Sequence, residues 1–136
     1  MTKLRRYEEF EDESGRTVRY RRGEAGGLVA ADAPVADDAH VGDQAWVDPG
    51  ARVGAGAHVG ARAWVETGAV VGARARLGAG VRVGRDAVVG AGARLGTGVQ
   101  VGAGARVDDG VVVPEEVRIP DGVVVARGQD PHSLAA

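Results

Sequence analysis

An aliphatic residue recurs at every sixth position from Val29 to Val125 without an insertion, and no other feature of the chain constrains its fold so tightly. The series runs Val29, Val35, Val41, Val47, Val53, Val59, Val65, Val71, Leu77, Val83, Val89, Leu95, Val101, Val107, Val113, Ile119 and Val125, seventeen hexads in all. Two positions earlier stands a second small apolar residue, as in Ala45, Ala51, Ala57, Ala63, Ala69 and Ala75. Two apolar residues separated by one variable residue mark a short strand with one buried face. A six-residue period walks around a helix instead of holding one side of it, so helix is excluded. Between strands, pairs such as Ala55-Gly56, Thr67-Gly68 and Asp109-Gly110 put glycine in one recurring slot, where a tight corner needs positive φ. The hexad is therefore strand plus corner.

Composition fits thin repeated layers better than one thick centre: 23 Gly, one Phe, two Tyr and two Trp in 136 residues, with Val and Ala carrying the apolar content. That length makes one domain. A net charge of −2 argues against a nucleic-acid partner, since phosphate-binding surfaces carry a basic excess. The absence of cysteine excludes disulfides, thiolate metal sites and a Cys nucleophile. The opening "MTKLRRYEEFEDESG" has charge where a signal peptide needs an apolar core, and no run is long enough to cross a membrane, so a cytoplasmic location without membrane contact is expected.

The hexads "VGAGAH", "VGAGAR", "LGTGVQ" and "VDDGVV" resemble those of the bacterial transferase hexapeptide-repeat family: aliphatic, Gly or Asp, two turn residues, a small residue, then any residue. The resemblance covers roughly residues 29 to 126. It implies an all-β, left-handed parallel β-helix with three hexads per triangular coil, hence about 5.7 coils stacked about 4.8 Å apart. Around it we expect a β-hairpin cap over residues 1–27, the β-helix over 28–126 and a tail over 127–136. "LRRYEEF" and "TVRYRRG" flank "EDESGR" as that hairpin, and Pro114 and Pro120 blunt strand pairing at the far end.

Eighteen residues per coil turns the sequence into a surface map, because the residue before each inward aliphatic points outward and stacks with its counterpart one coil on. One face carries Pro34, Arg52, Val70, Val88, Arg106 and Val124. The next carries His40, His58, Arg76, Arg94 and Val112, and the third Trp46, Trp64, Arg82, Gln100 and Arg118.

Stacked identical side chains pack well, and the main expectation from them is a noncatalytic scaffold or binding module. The family resemblance implies a homotrimer. The outward β-branched stripe Val70, Val88 and Val124 is the expected seam, with the Trp46/Trp64 face as an alternative seam or a protein-docking surface. The alternative function is acyl-CoA-dependent acyl transfer. Here the resemblance implies a histidine general base, which nominates His58 or His40, and acetyl-CoA as substrate in a groove between subunits. Arg76, Arg94 and Arg82 would then be the anion or CoA-binding cations. No cofactor or metal is expected. Family carbonic anhydrases hold zinc with three histidines across a trimer interface, whereas here two histidines stand one coil apart and His132 falls in the tail. Asp32, Asp37, Asp38, Asp43 and Asp48 fall at corners and read as solubilising turn residues.

Overall fold

A computed structural model describes residues 7–11, 14–23 and 25–127 of the chain. Of the expected tail only Arg127 is described; residues 128–136, with His132, lie outside, as does the start of the expected cap. Every regular element among the described residues is a strand. Strand β1 (Tyr7–Glu11) pairs antiparallel with β2 (Thr17–Arg22), and β2 pairs antiparallel with β3 (Leu28–Ala30). Two-residue strands follow every six residues, from β4 (His40–Val41) to β18 (Val124–Val125). All of these pair in parallel with strands 18 residues away, giving a β-solenoid of about five turns with three sheets.

The register matches the outward columns read from the sequence. His40, His58, Arg76, Arg94 and Val112 are successive partners on one sheet, the His face. Trp46, Trp64, Arg82, Gln100 and Arg118 form the Trp face. Arg52, Val70, Val88, Arg106 and Val124 form the Val face.

Stacking follows from the hexad because each turn satisfies the backbone of the one before it. The N–H of His40 donates to the Ala57 carbonyl at 2.9 Å, that of His58 to Ala75 at 2.8 Å and that of Arg76 to Ala93 at 2.8 Å. In these bonds the donor lies in the earlier coil, whereas corner residues such as Arg62 and Gly80 donate back to the coil before, to the Asp43 and Ala61 carbonyls at 2.9 Å each. Inside, Val47, Val59, Val65, Val83 and the intervening alanines are fully buried, and no polar or charged residue joins them among the described residues. Small residues are required where turns approach closely: a Cβ on Gly60 would lie 2.6 Å from the Gly78 backbone.

Corners take a left-handed residue, and this is where the structure adds to the sequence. Gly56, Gly68, Gly80 and Gly92 have φ between 67° and 75°, as their slot predicts. Gln44, Arg62, Arg74, Asp86 and Glu116 occupy the same slot with φ of 59° to 64°, a conformation that crowds Cβ against the following carbonyl.

The corner aspartates are more than solubilising residues. Asp32 accepts the N–H of Gly50 and Asp38 that of Gly56, each one coil on, while Asp109 and Asp121 reach back to Ala91 and Ala103. These carboxylates pin neighbouring turns together. At the far end, Pro114 and Pro120 stand where the ladder would next require the donors supplied one coil earlier by Gly96 and Gly102, so two outward-facing N–H groups are missing there. No helix among the described residues is long and apolar enough to cross a membrane.

Candidate active site

The same slot of the hexad yields two different surfaces on adjacent faces. On the Trp face the hairpin lies against the first rung. Trp46 makes edge-on contacts with Phe10 and Tyr20, at ring separations of 5.1 and 5.2 Å, and is half-buried. Asp48 accepts hydrogen bonds from the Tyr20 hydroxyl at 3.1 Å and from Trp64 Nε1 at 2.6 Å. Burial raises its carboxyl above the ordinary range, against the pull of those two bonds, with nearby Glu66 adding to the rise. One rung on, Glu66 accepts from Arg82 Nε at 2.7 Å, and the guanidinium sits 4.7 Å from the Trp64 ring centre. Arg82 is therefore committed to Glu66 and Trp64, on a different face from Arg76 and Arg94.

The His face has no such partners. The His40 and His58 rings stack with centres 4.3 Å apart and planes 20° from parallel. Both side chains are exposed. Desolvation holds His58 below the ordinary imidazole pKa, helped by His40 and by Arg76 on the next rung. Its neutral, proton-accepting form is thereby favoured near pH 7. Among the described residues neither Arg76 nor Arg94 makes an ion pair. His58, Arg76, Arg94, Val112, Pro114 and Glu115 line an open groove of about 480 Å³. Of the residues nominated from the sequence, the fold thus brings His40, His58, Arg76 and Arg94 into one column.

Val70 and Val88 are half-buried partners on the Val face, and Val124 at its end is 50 % exposed. Trp64 is 40 % exposed. No group of three or more His, Cys, Asp or Glu able to hold a metal occurs among the described residues. Two features were missed from sequence: the acceptor role of Asp48 on the Trp face, whose partners lie 28 and 16 residues away, and the left-handed corners at residues other than glycine, Arg62 and Arg74 among them. For the arginines the signal was present, as gaps in the glycine column.

No protein-family profile matches the chain, and no curated protein is significantly similar to it. The likeness is to solved structures. A histidine-to-asparagine mutant of perosamine N-acetyltransferase from Caulobacter crescentus, in complex with CoA and GDP-perosamine, is 26% identical with a TM-score of 0.59, over 72% of this chain and 51% of that one. The acetyltransferase domain of PglB from Neisseria gonorrhoeae is 25% identical with a TM-score of 0.52, over 75% of this chain and 55% of that one. A putative acetyltransferase from Bacillus cereus, 18% identical with a TM-score of 0.55 over 74% of this chain and 73% of that one, shares the fold. The chain spans about half the length of the first two structures. These neighbours correct the expectation of a noncatalytic scaffold and favour the acyltransferase alternative drawn from the same residues. The chain is a β-solenoid whose structural neighbours are hexapeptide-repeat acetyltransferases.

Proposed function

We propose that this protein transfers an acyl group from acyl-CoA, with acetyl-CoA as donor, to a hydroxyl or amine. The observation that carries the proposal is the stacked, exposed His40/His58 pair, continued along one open groove by two arginines that form no ion pair among the described residues. His58 is the general base. Its lowered pKa supports the required neutral state, and His40 behind it limits the ring's orientation. In the transfer, the His58 imidazole takes the acceptor's proton as the acceptor oxygen or nitrogen bonds to the thioester carbonyl carbon. The C–S bond then breaks and the proton is returned to the departing CoA sulfur. Arg76 and Arg94 bind the anionic part of CoA through charge-assisted hydrogen bonds.

The groove is open on a single chain, and a neighbouring subunit supplies its second wall. Hexapeptide-repeat transferases are generally trimers, and we place the seam of such a trimer on the Val70/Val88/Val124 column. A β-branched stripe with two interleaved arginines, Arg52 and Arg106, suits burial against another chain better than solvent.

Light scattering combined with calorimetric titration of acetyl-CoA tests this. The expected result is a trimer that binds acetyl-CoA. Arg76→Ala should weaken that binding at least tenfold, and His58→Ala should lower turnover by a factor of about 10² to 10⁴. A chain that ignores acetyl-CoA at millimolar concentration sinks the proposal.

A further inference from the structure

From β4 onward every strand is two residues long, but the sheet that carries the Trp face begins with a longer one. Its order runs from β1 through β2 and β3 to β17 (Arg118–Ile119), so among the described residues β1 (Tyr7–Glu11) pairs with β2 on one side and has an open edge on the other. Five residues suffice to template a further strand. At the far end, β16 (Val112–Val113) and β17 offer two residues each and run into Pro114 and Pro120. No proline interrupts β1.

Alternation along β1 sorts its side chains onto two sides. Phe10 lies opposite Val18, and its ring meets Tyr20 and Trp46 edge-on at 5.5 and 5.1 Å, on the aromatic side of the hairpin. It is still 40 % exposed after those contacts. Glu9 and Glu11, opposite Arg19 and Thr17, belong to the other side, and both are exposed. Glu9 lies 3.5 Å from Arg19 Nε across the paired edge, and Glu11 makes no ion pair among the described residues. Along its open edge β1 therefore reads acid, aromatic, acid. The strand it already accepts, β2, reads Thr-Val-Arg-Tyr-Arg-Arg, with a base on either side of an aromatic ring.

We infer that β1 is a docking edge for an extended basic segment of another protein, one that alternates Arg or Lys with an apolar residue. The open edge supplies main-chain hydrogen bonds, the bases of such a segment would stand beside Glu9 and Glu11, and its apolar residue would cover the exposed part of Phe10. A second copy of this chain is the wrong occupant. Antiparallel pairing of two β1 strands about Glu9 sets Glu9 against Glu9, and parallel pairing in register stacks each of Glu8, Glu9 and Glu11 on its counterpart. The charges that guard the edge against its own copies thus select a basic partner. The edge lies beyond the first coil, outside the His-face groove, and does not depend on acyl transfer.

The probe is a labelled, end-capped peptide of sequence TVRYRR, a copy of β2, titrated into the full chain by fluorescence anisotropy. It should bind, and bind less well as salt is added. The charge-reversed peptide TVEYEE, and TVRYRR methylated on alternate backbone nitrogens, should bind at least tenfold more weakly, the second because it keeps the charge and loses the strand pairing. Glu11→Lys should weaken binding of TVRYRR at least tenfold with an unchanged thermal melt, while Asp37→Lys, an exposed acid on the first coil, stays within twofold. Hydrogen exchange on the complex should show protection gained at Tyr7–Glu11. No binding at millimolar peptide, equal binding of the methylated peptide, full affinity in Glu11→Lys, or protection gained elsewhere overturns the inference. So does a melting point several degrees lower in Glu11→Lys, which would make that acid part of the fold. Self-association in light scattering that Phe10→Pro abolishes would assign the edge to a second copy and overturn it as well.

Discussion

The first two rungs of the Trp face and of the His face are built by the same hexad slot, six residues apart, yet they differ in almost every contact. Trp46 lies under the hairpin aromatics Phe10 and Tyr20, and Trp64 is tied by its ring N–H to Asp48. His40 and His58 have each other and little else. An outward slot on a solenoid thus becomes structure when a segment outside the repeat, or the residue following an inward valine, supplies a partner. Left without one, it stays available for a ligand.

That comparison rests on a core common to both faces, and breaking the core should have the largest effect. Val83, fully buried under the Trp face, is expected to tolerate no charge. Val83→Asp should abolish folding or cost more than about 4 kcal/mol in a denaturation experiment, and a melt like that of the wild type would refute the shared register. Next in size is the contrast between columns. Trp46→Ala removes a half-buried ring from a three-ring cluster and should cost about 2 to 3 kcal/mol, whereas His40→Ala should stay within about 0.5 kcal/mol. Equal costs would make the histidine stack a structural element and remove its claim to chemistry.

The smallest effect is in pH. Because His58 sits below the ordinary imidazole pKa, the unfolded chain takes up its proton at higher pH than the folded chain does. Stability should therefore decline as pH falls from about 6.5 through the folded-state value, and His58→Gln should flatten that part of a melting-temperature profile. Asp48 runs the other way. Its raised pKa favours the fold in acid, and that contribution fades as pH rises through the folded-state value. A wild-type profile identical to that of His58→Gln between pH 5 and 7 would show that His58 titrates as in the unfolded chain.

The columns were legible because the hexad runs without insertion, so that a difference of 18 in residue number is a difference of one turn. His40 with His58, Trp46 with Trp64 and Arg76 with Arg94 needed no further information once three hexads per coil were taken from the family resemblance. What escaped that arithmetic lies outside the period. Tyr20 reaches Asp48 from the hairpin, where no repeat fixes the register, and so converts a corner acid into a buried acceptor. The left-handed strain at Arg62 and Arg74 is local to the backbone, and a column of glycines with a few exceptions was its trace in the sequence. Function was the least legible of all. A bare column of histidines is consistent with inert packing, and likeness to acetyltransferases with bound ligands moved the balance.

The parallel register also makes the molecule a ruler with a fixed angular phase. Removing one full coil of 18 residues would shorten it by about 4.8 Å and leave every column aligned. Removing a single hexad between Trp64 and Arg76 would instead rotate all that follows by one face, setting Arg82 above His58 in place of Arg76. Length can thus change only in steps of three hexads if the histidines are to keep their arginines, so the surface constrains the size of the protein as firmly as the core does.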